Sequence, residues 1–197
     1  KNSIVVSEGA MSDDFYLILQ GRLRVFVSDE QGKQLTLNIQ EAGECFGEIA
    51  VLDDQHRSAS VITLEPTKLC VVSKSGFYRC VQENPQLLTK LLFTAQQRIR
   101  ALTENVKNLA LLDVCGRVTV TLHSLDVEKD GQWVVKRLSQ QSIADRVGAS
   151  REMVGVIIRG LLADGFITYD SGKIIIRKTL PQSLAQLSDP LEQSKSL

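Results

Sequence analysis

The chain has 197 residues, 43% of them hydrophobic and 23% charged, and its 23 basic and 23 acidic side chains cancel to a formal net charge of zero. That composition supplies enough apolar material for two modest cores and is too ordinary for a disordered chain. It holds no run of about 18 apolar residues and no basic-then-apolar leader in residues Lys1 to Gly9, so the expected protein is cytoplasmic and has no membrane partner.

The chain begins inside strand-like sequence, which leaves room for a further N-terminal piece. Charge is unevenly spread: residues 1–83 carry 8 Lys and Arg against 12 Asp and Glu, whereas residues 114–180 carry 10 against 7. The mildly basic C-terminal part is compatible with a phosphate-bearing partner and equally with a solvated surface. Cys45, Cys70, Cys80 and Cys115 show no Cys-x-x-Cys pairing and lie among apolar residues. Buried thiols are therefore expected, with no metal site and no disulfide framework.

From Ile4 to Val72 short alternating runs such as Phe15-Tyr-Leu-Ile-Leu and Leu23-Arg-Val-Phe-Val are punctuated by Gly9, Gly21, Gly32, Gly43 and Gly47. The pattern predicts short antiparallel strands closed into a sandwich or roll, a unit that encloses side chains or a small ligand. Its most informative stretch runs from Gly43 to Ser60, where a glycine-rich strand end carrying Glu48 is followed by a loop ending in Arg57-Ser58-Ala59. A cyclic phosphodiester held inside such a roll needs a buried cation, because a desolvated anion must be paired, and a guanidinium forks onto two phosphate oxygens. Arg57 fits that role. Ser58 can add a donor, Glu48 can accept from a sugar 2′-hydroxyl, and Gly47 lets the backbone come close. The competing reading is a Glu48–Arg57 ion pair that only ties the loop down.

After Pro85 the period changes. Leu88, Leu92, Ala95, Ile99, Leu102, Val106 and Leu109 are separated alternately by four and three residues, an a/d seam flanked by Gln97, Arg98, Arg100, Glu104 and Lys107. This predicts a two-helix coiled coil and hence a homodimer, with an ordinary amphipathic helix as the alternative. Asp126 to Arg137 only faintly matches a calcium loop and fails at Arg137, where a bidentate Glu is required. His56 and His123 lie far apart without a nucleophile beside either, so no catalytic site is expected and the protein is not read as an enzyme.

Ser139 to Arg159 places a Ser-capped helix, a turn at Gly148 and a second helix capped by Ser150 within about twenty residues, a helix-turn-helix. Ile143, Val147, Val154, Ile157 and Leu161 form its expected core, and small Ala144 lets the helices cross closely. Ile167 to Ile176, with Asp-Ser-Gly at its centre, reads as the two strands of a wing. Arg151 and Glu152 open the second helix, where Arg can fork onto guanine and Glu can accept from cytosine. Ser139, Gln140, Gln141, Arg159 and Lys173 are candidate phosphate contacts, a solvated surface role being the alternative for each.

Phe46-Gly47-Glu48-Ile49-Ala50 followed by Arg57-Ser58-Ala59, the run from Glu104 to Arg117, and Ser150-Arg151-Glu152 together resemble the CRP/FNR family of transcription regulators over nearly the whole chain. The resemblance implies an α+β chain: an N-terminal cyclic-nucleotide-binding β-roll over 1–83, a dimerisation helix and hinge over 84–113, a winged helix-turn-helix over 114–180 and a tail over 181–197. It makes Glu48 the ribose contact, Arg57 and Ser58 the phosphate contacts and Thr103 a base contact across the dimer. Where the family has a second hydroxyl facing the base, this chain has Leu102. Likewise, a further base-reading Arg of the family is Val156 here. The resemblance further implies cyclic AMP or a related cyclic nucleotide as allosteric ligand, and a palindromic double-stranded DNA site with a TGNGA-like core. RNA polymerase is the further partner it implies. Two alternatives stand beside it: a family relative sensing cyclic di-GMP, haem-bound gas or redox state, and a cyclic-nucleotide module that does not bind DNA.

Overall fold

The computed structural model describes residues 1–53, 55–129, 132–136 and 138–188. Its contacts divide the chain into two compact units, Lys1–Leu102 and Thr103–Leu197. The expected α+β class is observed: antiparallel strands come first, a long helix follows, and helices with a small sheet complete the chain. Asp130, Gly131 and Arg137 of the rejected calcium-loop reading lie outside the described residues, as does the tail from 189 onward.

In the first unit the glycine-punctuated runs become two antiparallel sheets. Strands β1 (Ile4–Val6), β3 (Arg22–Ser28), β4 (Gln34–Glu41) and β6 (Ser60–Thr63) form one in the order β1-β6-β3-β4. Strands β2 (Phe15–Gln20), β5 (Cys45–Phe46) and β7 (Lys68–Val72) form the other in the order β5-β2-β7. Because successive side chains point to opposite faces, Leu23 and Val61 of the first sheet can meet Ile18 and Phe46 of the second, all within 0–4% exposure. Strand β4 pairs with β3 across Leu23↔Gln40, Val25↔Asn38 and Phe26↔Thr36, so a bulge leaves Leu37 as the extra residue.

Two short helices follow within this unit, α1 (Glu48–Asp53) and α2 (Lys74–Glu83). The Ser73 hydroxyl caps α2 by accepting from Gly76 N at 3.2 Å, and Phe77 packs on Phe15 with ring centroids 5.2 Å apart. Helix α3 (Gln86–Leu111) then runs for 26 residues with none buried. Its seam residues Leu88, Leu92, Ile99, Leu102, Val106 and Leu109 are all exposed.

The second unit contains α4 (Val114–Leu125), α5 (Gln140–Val147) and α6 (Arg151–Ala163) with a four-stranded sheet. The sheet comprises β8 (Asp126–Lys129), β9 (Gln132–Lys136), β10 (Ile167–Asp170) and β11 (Lys173–Ile176), in the order β10-β11-β9-β8. The expected wing is the β10–β11 hairpin. Its extension by β8 and β9 was not legible, because only Val127, Trp133, Val134 and Val135 signal it. All five expected core residues of the helix-turn-helix are 0–2% exposed.

The cysteines need correction. All four are free, but only Cys115 is buried; Cys45 is half-buried, and Cys70 and Cys80 are exposed. Cys70 lies on β7, an edge strand, and α2 buries only Phe77.

Candidate ligand pocket and DNA-reading face

A cavity of about 590 Å³ opens in the first unit, within the size range of small-molecule sites. Among the residues expected from the sequence, Phe46, Gly47, Glu48, Ile49, Arg57, Ser58, Ala59 and Leu102 line it. Ala50 lies in α1, and Thr103, exposed on α3, is not among the lining residues.

Arg57 is the centre of this site. It is 4% exposed, and its guanidinium donates to Gly47 O at 3.0 Å, Ser12 Oγ at 2.9 Å and Asp14 O at 2.6 Å. All three acceptors are neutral, and Nε has no partner. Among the described residues, therefore, no carboxylate forms an ion pair with this buried cation, an arrangement that favours an incoming anion. Gly47 makes the close approach possible: at φ +86°, an added Cβ would stand 2.7 Å from both Arg57 Nη1 and Asp14 O. Tyr16 stacks on Phe46 at 4.8 Å beneath the guanidinium, and burial raises its hydroxyl pKa above the ordinary value.

Glu48 opens α1 rather than ending a strand, and its partner is Arg98 of α3, not Arg57. The loop-tying Glu48–Arg57 pair is thus not what the structure holds. Arg98 Nη1 bonds Glu48 Oε1 while its Nη2 bonds the Cys45 carbonyl, and that carbonyl also accepts from Gln40 Nε2 at 3.3 Å. Glu48 Oε2, Arg98 Nε and Gln40 Oε1 remain without partners. Burial, reinforced by the nearby Glu48 charge, pushes the Cys45 thiol up to about 11.

Arg98 and Gln40 escaped the sequence reading. Arg98 sits among the charges that flank the heptad seam and looks solvated. Gln40 belongs to the polar parity of β4, with Gln34, Thr36 and Asn38, which simple alternation sends to solvent; yet Thr36 and Gln40 are 8% and 2% exposed. The one available signal was Glu48, whose charge needs a cation somewhere in the fold.

In the second unit, Gly148 closes α5 in the left-handed conformation at φ 65°. Arg117 donates to Val147 O at 2.8 Å, satisfying a carbonyl at the same helix end. The Ser139 and Ser150 hydroxyls accept from Ser142 N at 3.0 Å and Met153 N at 3.2 Å, so both serve as helix caps. Helix α6 buries Val154, Ile157, Ile158 and Leu161 and leaves Arg151, Glu152 and Arg159 exposed. Arg151 and Arg159 fall on one face with Gly155 between them. Gln140 packs beside that glycine, whose ideal Cβ would lie 3.2 Å from its Oε1, and Gln141 bonds Asp145 at 2.7 Å. Val156 is half-buried, whereas Lys173 is exposed at the start of β11. Among the described residues no group of three or more His, Cys, Asp or Glu could hold a metal, and no helix is long and apolar enough to cross a membrane.

Comparison with known proteins assigns both units. Residues 1–84 match the cyclic nucleotide-binding domain, and residues 116–186 match the Crp-like helix-turn-helix domain. A chain carrying both is a ligand-gated, DNA-binding transcription regulator. It is 31% identical over 179 residues to the cAMP-activated global transcriptional regulator CRP of Salmonella typhimurium, covering 88% of this chain and 85% of that one. Among solved structures, the c-di-GMP responsive global regulator CLP of Xanthomonas campestris superposes with a TM-score of 0.81 at 24% identity, covering 91% of each chain. A CRP/FNR family transcriptional regulator of Thermus thermophilus gives 0.72 at 25% identity, covering 90% of this chain and 91% of that one. The chain belongs to the CRP/FNR family of transcription regulators.

Proposed function

We infer that the chain binds a cyclic nucleotide, cyclic AMP first among them, in the first unit's cavity and reads a palindromic double-stranded DNA site as a homodimer, with RNA polymerase as its further partner. The observation that carries this reading is Arg57, a buried guanidinium bonded only to neutral oxygens. A cyclic phosphate supplies the missing negative charge in a form that a guanidinium can fork onto. Ser58 adds a donor beside it, and Glu48 accepts the ribose 2′-hydroxyl through the oxygen that Arg98 leaves unpaired.

The division of labour follows the chain: residues 1–83 bind the ligand, 84–113 dimerise, and 114–180 read DNA. Ala95, Ile99 and Leu102 belong to the heptad seam and also line the cavity, so a ligand seated there touches the residues that pair two copies. Arg151 and Glu152 read base edges, Val156 touches at most a thymine methyl, and Arg159 and Lys173 hold phosphates.

The test is a titration of DNA binding on a TGTGA-type palindrome, on a single half-site and on a scrambled site, each with and without saturating cyclic AMP. The expected result is tight binding only to the palindrome with ligand present. A coupling of about 1–3 kcal/mol would make the ligand effect roughly 5- to 150-fold, with DNA tightening ligand binding by the same factor. Equal affinity in all six conditions would remove the gated, sequence-specific mechanism. Calorimetry against cyclic AMP, cyclic GMP and cyclic di-GMP identifies the effector.

A further inference from the structure

Among the described residues, five buried side-chain atoms lack a hydrogen-bond partner, and four of them belong to residues lining the cavity: Gln40, Glu48, Arg57 and Arg98. The phosphate and sugar of the ligand proposed above answer Arg57 and Glu48, while Arg98 is held by Glu48 and the Cys45 carbonyl and its free Nε is a donor. Gln40 is left over. Its Nε2 is engaged with the Cys45 carbonyl, which fixes the amide so that the unpartnered group is the acceptor Oε1. An acceptor closed off from solvent is costly unless a donor meets it.

A 3′,5′-cyclic nucleotide narrows what that donor can be. O3′ and O5′ are both esterified, so the sugar offers a single hydroxyl donor, at 2′, and Glu48 takes it. Any second donor must come from the base. Across the cavity, Leu102 of α3 can neither donate nor accept, and among the lining residues Gln40 offers the buried unpartnered acceptor that remains once Glu48 is taken. Resting on the cyclic-nucleotide reading above, we propose that Gln40 is a base-reading residue of this pocket, its Oε1 accepting a hydrogen bond from a nucleobase N–H. The donor chemistry is shared by the exocyclic amine of adenine and the N–H groups of guanine. A base without an N–H would leave the acceptor orphaned and bind more weakly, on the order of tenfold.

Calorimetry on the full chain tests this with cyclic AMP, cyclic GMP and purine riboside 3′,5′-cyclic monophosphate, whose base has no N–H donor. The wild-type protein is expected to bind the donor-free analogue roughly tenfold more weakly than the better of the two natural nucleotides. Gln40→Met has nearly the same length and no acceptor. It should bind the donor-free analogue at least as tightly as wild type and lose the preference for N–H bases, whereas Gln40→Glu, which keeps an acceptor oxygen, should retain it. The analogue's undiminished affinity for Gln40→Met shows that the pocket is folded. Which natural nucleotide binds better identifies the base. Overturning results would be a wild-type protein that does not discriminate against the analogue, or a Gln40→Met protein that still does. If none of the three nucleotides binds the wild-type protein, the cyclic-nucleotide reading fails and takes this one with it. Binding without discrimination sinks the role of Gln40 alone.

Discussion

Among the described residues, sixteen buried side chains make one apolar cluster in the second unit, whereas the corresponding cluster of the first unit has five and lies in a unit hollowed by a cavity of about 590 Å³. The buried polar groups divide the same way. All five buried side-chain atoms without partners among the described residues, on Thr36, Gln40, Glu48, Arg57 and Arg98, are in the first unit. Each such atom costs about 1–3 kcal/mol, and a hydrogen bond from a ligand recovers that cost. The contrast distinguishes a well-filled apolar core from a unit in which four of the five unpartnered polar groups belong to residues that line a cavity. A DNA-reading helix must hold its exposed side chains in fixed register, which a dry core provides. A sensor must gain more from its ligand than from water, and orphaned groups make that gain possible.

The largest effect is expected at Arg57. Arg57→Ala should abolish cyclic-nucleotide binding, a loss of about 3–5 kcal/mol as expected when one partner of a buried charge pair is removed. Calorimetry that found wild-type affinity would show that the cavity is not the ligand site. Next comes the opposite core. Leu161→Ala, at a position with 0% exposure, should cost about 2–5 kcal/mol of stability by leaving a cavity among well-packed neighbours. Denaturant titration with a smaller loss would mean that the second unit is looser than its burial implies. Third, cyclic AMP at one hundred times its dissociation constant should add about 2.7 kcal/mol to the unfolding free energy of the wild-type protein and nothing to that of Arg57→Ala.

Much of this contrast could be read from the sequence, but unevenly. The second unit was legible because its signals are local: Ser139 and Ser150 as caps, Gly148 as the turn, and the 3.6-residue spacing that buries Val154, Ile157 and Leu161. The strands of the first unit were legible from alternation and glycines, and the Gly43–Ser60 stretch pointed to Arg57 and Glu48 because an anion site needs those residue types close together. What failed was long-range. Arg98 meets Glu48 across 50 positions of sequence, and no spacing rule connects them. Gln40 lies on the polar side of β4, where alternation gives the wrong sense because that strand lines a cavity instead of facing solvent. The cysteines failed for a related reason: neighbouring apolar residues make a thiol look buried, but Cys70 is on an edge strand and Cys80 on a helix that buries only Phe77.

The smallest expected effect tests whether the finished core of the second unit delivers base reading. Arg151 and Glu152 stand side by side at the start of α6, both exposed, while the Ser150 cap and the buried Val154, Ile157 and Ile158 hold the helix in place. Arg151→Ala removes a side chain with no structural burden, so the fold should persist while binding weakens by about 1–3 kcal/mol and preference relaxes at one G·C pair of the half-site. Lys173 is also exposed but lies on β11 of the wing, where a phosphate contact carries no sequence information. Lys173→Ala should therefore weaken binding to matched and mismatched sites alike and shallow the salt dependence by about one unit. The measurement is affinity for the palindrome and for versions with each half-site base pair replaced in turn, at two or more salt concentrations with ligand saturating. A uniform loss for Arg151→Ala, or a base-specific one for Lys173→Ala, would reverse the two assignments and move base reading from α6 to the wing.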